Sequence, residues 1–297
     1  MVMNKLIILM YHRVCEQNPD TACYFTRGTA VTPKVFHTQI QRLSKRVKFV
    51  TLSQGMALLH RVPSQTTPLC AITFDDGYRD VLEHHISDYP LTLFPVARHL
   101  GEAHTTSLIF IDHYYALLHR AQQRHGIRLE GLLDQNPVDI DDNLVWWVKG
   151  PVKEYLQQAT LYQRNALLQQ LTETLQVATI PTPQQFYLSQ SELIQLAGLG
   201  HEIGGHGASH QRLTYLSEPE LQRELIESYH LVEKLTGASR NNSFCYPDGQ
   251  YSRHISDAVK KVGFDYACTV MQGYTQAQTS FFQLPRFFMR EDSTLEM

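Results

Sequence analysis

His206 and His210 are two residues whose type and spacing suit metal binding. A spacing of four residues places two imidazoles on one side of a helical turn or a tight loop, within reach of one cation. The chain contains 15 histidines, so a single pair of this kind is a weak signal by itself. Ordinary core or surface histidines remain the alternative interpretation.

Two adjacent carboxylates, Asp75 and Asp76, follow an apolar segment at residues 69–74 and precede Gly77. Such a pair is costly to bury unless positive charge lies beside it. One carboxylate can then hold a metal while the other faces a substrate. Two histidines and one carboxylate are a common facial ligand set for zinc or another divalent transition metal. A turn whose aspartate caps a following helix would give the same short pattern.

Two more polar motifs follow predicted strands. The turn Tyr246-Pro247-Asp248-Gly249 could aim a backbone N–H at a developing oxyanion, or it could be a turn only. His12 could act as a general acid, because imidazole titrates near neutral pH, or it could be an ordinary buried histidine.

The elements around these motifs alternate between short apolar strands and amphipathic helices, which favours a parallel α/β barrel. Catalytic groups collect at the carboxyl ends of barrel strands, where all four motifs lie. Residues from about 105 to 185 break this rhythm with helical periodicity. We therefore expect a single domain over residues 1–297 with a helical insertion. The predicted strands lie at 5–11, 48–52, 69–74, 91–96, 201–205, 243–246, 266–270 and 281–284. Predicted helices begin at the caps Thr32 and Ser53, after Gly77, and at Ser217, where Glu220 completes a capping box and Gly237 ends the helix. Within the insertion, helical periodicity extends over 113–124 and 152–176.

Composition limits the other functional classes. Apolar residues make up 43% and charged residues 19% of the chain, and the net charge is −3 without any Lys/Arg run, so nucleic acid is a poor candidate partner. The apolar stretch at residues 6–10 is too short for a spanning helix or a typical signal peptide, which leads us to expect a cytoplasmic protein without an integral membrane segment. Five cysteines at irregular spacing suggest no disulfide framework, and the oligomeric state is left open.

The motifs taken together resemble those of the polysaccharide deacetylase family, also called NodB homology or carbohydrate esterase family four. The resemblance extends from about residue 5 to about residue 290 and is weakest in the helical insertion. It implies a distorted (β/α) barrel with fewer than eight regular strands. Segments 10–14 and 284–286 are similar to the branch that includes poly-N-acetylglucosamine deacetylases. The motifs that carry the resemblance are Thr73-Phe74-Asp75-Asp76-Gly77, His206-x-x-x-His210 and Tyr246-Pro247-x-Gly249.

The resemblance implies a role for each matched residue. Asp76, His206 and His210 would bind a divalent metal, with zinc as the first expectation and other transition metals as alternatives. Asp75 would be the general base that takes a proton from the attacking water. The backbone N–H of Asp248 would help to hold the oxyanion.

The sequence also departs from the family pattern. Many members carry their general acid on a histidine in a late Leu-x-His motif, but Arg286 stands at that place here. The branch with an early Tyr-His sequence implies that His12 is the acid, and that Arg286 hydrogen-bonds Asp75 or binds substrate. Asp248 replaces a usual aromatic residue, which alters the substrate pocket that Tyr246 and Asp248 would shape.

The expected reaction is removal of an N-acyl group, first of all N-acetyl, from an amino sugar or glycan precursor. A deformylase or another amide or imide hydrolase could use the same metal site. A family member that binds a glycan or a partner without turnover is the non-enzymatic alternative.

Overall fold

The computed structural model of the chain describes residues 5–61, 67–122, 128–129, 138–139, 144–177, 179–237 and 242–294. It is a mixed α/β structure built around one parallel sheet. The strands in these ranges are β1 (Leu6–Tyr11), β2 (Arg13–Val14), β3 (Ala30–Val31), β4 (Lys48–Val50), β5 (Leu69–Asp76), β6 (Leu91–Pro95), β7 (Arg128–Leu129), β8 (Val138–Asp139), β9 (Glu202–Ile203), β10 (Ser243–Cys245), β11 (Tyr266–Cys268) and β12 (Phe287–Phe288). The helices are α1 (Ala22–Arg27), α2 (Pro33–Ser44), α3 (Leu52–Arg61), α4 (Phe110–Gln122), α5 (Leu144–Lys149), α6 (Pro151–Gln158), α7 (Leu161–Thr174), α8 (Pro183–Phe186), α9 (Gln190–Gly198), α10 (Glu218–Thr236) and α11 (Arg253–Val262).

The central sheet has the order β12-β1-β5-β6-β9, and β4 pairs with the first half of β5. All of these pairs are parallel, so their carboxyl ends lie at one edge. β1 and β5 are buried along their whole length, which explains why they appear in the sequence as almost unbroken apolar runs. This sheet brings the ends of β1, β5 and β9 to the same rim.

The predicted barrel is confirmed as a distorted one, which continuous strand pairing does not close among the residues that the structure describes. β10 and β11 form a separate parallel pair. Single bridges, Gly205 with Phe244 and Cys268 with Leu284, connect this pair to its neighbours. Beyond Leu284 the chain returns as β12 beside β1.

Several local predictions are confirmed. The Thr32 hydroxyl accepts a hydrogen bond from the Val35 amide at the start of α2, as an N-cap should. Ser217 and Glu220 form the capping box of α10. That helix ends at Gly237, whose φ of 64° is left-handed.

Other local predictions are wrong. Gly77 is followed by short 3-10 turns rather than by an α-helix. α3 begins one residue before Ser53, and the hydroxyl of Thr51 accepts from the backbone at its start. The last strand lies at 287–288 rather than at 281–284, because Leu284 contributes only a single bridge. The helix predicted over 152–176 is interrupted at Thr160, which caps α7.

Helices α4 to α8 occupy much of residues 110–186. They pack around an apolar cluster that includes Trp147 and Leu117, and residues of α1 such as Tyr24 also belong to it. The division into one domain with an insertion stays a prediction. Among the residues that the structure describes, no helix combines the length and apolar character needed to cross a bilayer.

Candidate metal centre and its cavity

Asp76 is the last residue of β5 and has a left-handed φ of 69°. Gly77 continues this conformation with a φ of 75°, and a Cβ there would lie 3.0 Å from the Cα of Pro95. Glycine is therefore the residue that lets the chain turn closely over β6. His210 and Asp248 also have positive φ values, of 56° and 53°. Such conformations are costly for residues other than glycine and tend to cluster at functional sites.

His206 and His210 converge on Asp76, as the spacing of the motifs predicted. The Nε2 atoms of the two histidines lie 3.3 Å and 3.1 Å from Asp76 Oδ1. All three residues are buried. The loop from His206 to His210 follows β9 and contains no helical turn, so it is the tight-loop alternative that brings both rings to one side.

Contacts behind this loop fix its shape. The Nδ1 atom of His206 donates to the Cys245 carbonyl at 2.8 Å, which leaves Nε2 directed at Asp76. Glu224 of α10 accepts from the amides of Ala208 and Ser209 at 2.8 Å and 2.9 Å, and from the Ser209 hydroxyl at 2.6 Å. A buried carboxylate thus holds the segment between the two histidines.

The three side chains fit a divalent cation. Their ligand atoms lie within 4.8 Å of one another, and Asp76 Oδ1 is buried without a hydrogen-bond donor. Burial alone raises the pKa of Asp76, but His210 and His206 outweigh it and hold the pKa well below its usual value. The set of one carboxylate and two imidazoles matches zinc and related metals.

A second group, Asp75 with His206 and Cys245, also has ligand atoms within that distance. We favour the Asp76 group because both oxygens of Asp75 are already bound by Arg286. A cation at the second group would also face the Arg286 guanidinium, whose Nη2 lies 3.0 Å from Cys245 Sγ.

Asp75 forms a two-pronged ion pair with Arg286. Nη1 donates to Oδ1 at 2.7 Å, and Nη2 donates to Oδ2 at 2.8 Å. Burial raises the pKa of Asp75, but the charge and hydrogen bonds of Arg286 outweigh this and lower it overall. Of the two alternatives for Arg286, the structure places the guanidinium on Asp75, and the side chain is buried away from the cavity lining.

His12 lies just beyond β1 and lines the same cavity as Asp75 and Asp76. Its Nδ1 is buried without a hydrogen-bond partner, and its ring packs beside Phe288. Burial lowers the pKa of His12, although the two aspartates partly oppose this shift. Burial therefore favours the neutral imidazole.

Tyr246 and Asp248 also line this cavity. The hydroxyl of Tyr246 donates to the carbonyl of Phe282 at 3.1 Å. The carboxylate of Asp248 accepts from Arg212 at 3.0 Å and from Gln157 at 2.8 Å. The replacement of an aromatic residue by Asp248 thus gives this wall an ion pair, whereas the oxyanion role of its backbone stays a prediction.

The cavity has a volume of about 510 Å³, a size typical of a small-molecule site. Sequence reasoning missed two of the buried groups beside it. Glu224 lies on the apolar stripe of α10 between Leu221 and Leu225, and a charge on such a stripe was a readable signal. Asp112 is completely buried in α4, and no spacing in the sequence pointed to it.

Asp112 accepts hydrogen bonds from three tyrosine hydroxyls. Tyr24 and Tyr78 bind Oδ1 at 2.7 Å and 2.8 Å, and Tyr187 binds Oδ2 at 2.5 Å. Burial raises the pKa of Asp112 to about 6. Because Tyr24 and Tyr78 line the cavity, this cluster joins α4 to the cavity wall.

The family model described as polysaccharide deacetylase matches residues 151–267 of the chain. The matched part contains His206, His210, Tyr246 and Asp248, whereas the segment with Asp75 and Asp76 lies outside it. This match confirms the resemblance that the motifs indicated. No curated protein sequence matches the chain.

Several solved structures share the fold over nearly the whole chain, and two of the following three are named as deacetylases. The Streptococcus pyogenes deacetylase PplD, in complex with acetate, is 14% identical with a TM-score of 0.62, over 98% of this chain and 95% of that one. IcaB from Ammonifex degensii is 15% identical with a TM-score of 0.58, over 97% and 93%. A de-N-acetylase from Aggregatibacter actinomycetemcomitans is 14% identical with a TM-score of 0.58, over 98% and 97%. At these identities the likeness establishes the fold.

Proposed function

We propose that the protein is a metal-dependent hydrolase that removes an N-acyl group, first of all N-acetyl, from an amino sugar of a glycan or glycan precursor. The observation that carries the proposal is the convergence of Asp76, His206 and His210 on one buried point of a cavity. The polysaccharide deacetylase match over residues 151–267 supports the reaction class. The acetate in the structure of the similar S. pyogenes deacetylase agrees with an acetyl group as the part removed.

Asp76, His206 and His210 would hold the divalent cation. Such a cation, when bound, makes water more acidic and polarises an acyl carbonyl. The hydrogen bond from His206 to the Cys245 carbonyl and the Glu224 clamp keep these ligands oriented before substrate arrives.

Asp75 lies next to Asp76 and is the proposed base that accepts a proton from the attacking water. Its bond to Arg286 fixes the carboxylate and keeps it ionised. Arg286 is therefore a positioning residue. The lowered pKa limits the basicity of Asp75, so its role depends on orientation more than on proton affinity.

His12 is the proposed acid that delivers a proton to the departing amine. It lines the cavity together with the aspartates, and its Nδ1 is free of other partners. Because burial favours the neutral ring, His12 must first take up a proton from water in the cavity, and its lowered pKa lets it pass that proton readily to the amine.

The test is release of acetate and formate from a panel of N-acetyl and N-formyl amino sugars, including glucosamine oligomers, by metal-loaded protein. The proposal expects acetate release that His210→Ala abolishes and that His254→Ala, at an exposed histidine on α11, leaves intact. Release of formate alone would replace the acetyl specificity with deformylation. Binding of the sugars without release of either acid would leave the non-catalytic alternative.

A further inference from the structure

Positive side chains surround the cavity that contains the candidate metal centre. Arg27 from α1, Lys149 from the end of α5 and Arg290 after β12 all line it. Lys149 and Arg290 are exposed and Arg27 is partly exposed, so solvent and ligands can reach them. These three residues come from segments far apart in the sequence and meet only at this opening.

The acidic side chains of the cavity do not neutralise this group completely. Asp75 is bound by Arg286, and Asp76 faces the two histidines. Asp248 is shared between Arg212, at 3.0 Å, and Arg27, at 3.6 Å.

In the described ranges, no carboxylate lies within ion-pair distance of Lys149 or Arg290. The guanidinium of Arg290 instead stacks over the Phe288 ring, 4.8 Å from its centre. This stacking holds the planar guanidinium in place while its N–H groups remain available.

The pKa of Lys153, a lysine of α6 near these residues, indicates the same excess of positive charge. Burial and the nearby charges of Arg27 and Arg212 together lower the pKa of Lys153 to about 8. Asp248 only partly compensates. The wall formed by α1 and α6 is thus a place where an added anion is favoured.

We propose that the substrate carries an anionic group, a phosphate ester or a carboxylate, which Arg27, Lys149 and Arg290 bind while the acyl group faces Asp76. This inference rests on the proposed function for the acyl group, but the anion site is defined by the cations alone. Arginine presents a planar donor fork that matches both phosphate and carboxylate, and lysine adds a point charge.

The experiment measures binding of deacetylated sugars, which cannot be turned over, to the metal-loaded protein by calorimetry. The probes are glucosamine, glucosamine 1-phosphate, glucosamine 6-phosphate and a disaccharide of glucuronate and glucosamine. All of them carry the same amine. The two phosphates differ from glucosamine only in the anion, and the acidic disaccharide is compared with a disaccharide of glucose and glucosamine, its neutral counterpart. The two phosphates and the glucuronate distinguish the two sources of the anionic group.

We expect at least one anionic probe to bind about tenfold more tightly than its neutral counterpart, which corresponds to about 1.4 kcal/mol. Lys149→Gln and Arg290→Gln should each reduce that advantage by about threefold or more and leave glucosamine binding unchanged. Lys45→Gln and Arg42→Gln, at exposed positions of the α2 end away from the cavity, are the matched controls.

Equal affinity for neutral and anionic probes, an absence of measurable binding for every anionic probe, or equal losses in the control variants would overturn the anion site. Failure of the proposed function is seen separately, as an absence of acyl release from every N-acyl sugar despite bound metal.

Discussion

Arg286 binds both carboxylate oxygens of Asp75, at 2.7 Å and 2.8 Å, although 211 residues separate the two in the sequence. The guanidinium also donates from Nε to the Thr269 carbonyl at 3.0 Å, so it is fixed on two sides. Where Arg286 stands, the family resemblance would lead one to expect a histidine acid. In this structure Arg286 instead orients Asp75, the residue next to the candidate metal ligand Asp76.

Asp75→Asn should retain bound metal and lose about 10²-fold or more of the turnover, because the amide cannot accept the proton. The variant also leaves the buried Arg286 charge unpaired, which should lower the free energy of unfolding by about 3 kcal/mol or more. Metal content, thermal unfolding and initial rates measured on one preparation separate these effects. Near-normal turnover in the folded variant would refute the assignment of Asp75 as base.

His12→Gln should fold normally, bind metal normally and lose about 10²-fold or more of the turnover, because glutamine cannot deliver the proton to the leaving amine. A substrate with a better leaving group should recover part of the loss, since it needs less protonation. Unchanged rates with the amino sugar, or the same loss with both substrates, would contradict the acid role.

Glu224→Gln should weaken metal affinity by about tenfold or more, because the carboxylate that binds the 208–209 amides orients the loop between His206 and His210. Glu218→Gln is the control on the same helix, since its exposed carboxylate binds His254 of α11 and does not contact the loop. Competition with a metal-sensitive chelating dye measures both. Equal affinities in the two variants would show that Glu224 does not position the ligands.

Asp112 predicts a specific dependence of stability on pH. Its folded pKa is raised by burial to about 6 from about 4, so the folded state binds the proton more tightly than the unfolded state does. The stabilisation of the folded state by protonated Asp112 is therefore fully present below about pH 4, and it is lost as pH rises through about 6.

Comparison with Asp112→Asn isolates this contribution. The free energy of unfolding of the wild type, relative to the variant, should fall by about 2 kcal/mol between pH 4 and pH 7. Denaturant titrations at several pH values measure the difference. Parallel curves for the two proteins would show that Asp112 does not titrate in this range.

The sequence was informative where local chemistry and periodicity agree. β5 and its terminal Asp75 and Asp76, the pairing of His206 with His210, and the capping of α2 and α10 could all be predicted. The helix expected after Gly77 does not form, because the chain makes short 3-10 turns there instead. Local patterns reach only a few residues, so they fix elements and motifs better than connections.

Contacts between distant segments could not be predicted in this way. The three tyrosines on Asp112 come from α1, from the turn after β5 and from the residue after α8. The cations of the cavity likewise meet only after folding. No periodicity in the sequence predicts such long-range contacts. The buried Glu224, by contrast, could have been noticed as a charge on the apolar face of α10.

The most direct test of the account is the stoichiometry and affinity of zinc binding, measured by calorimetry on metal-free protein. The account predicts one tight site per chain that Asp76→Ala, His206→Ala and His210→Ala each abolish, while the exposed His254→Ala keeps it. Retention of that site in any of the three variants, or an absence of divalent metal binding in the wild type, would contradict it.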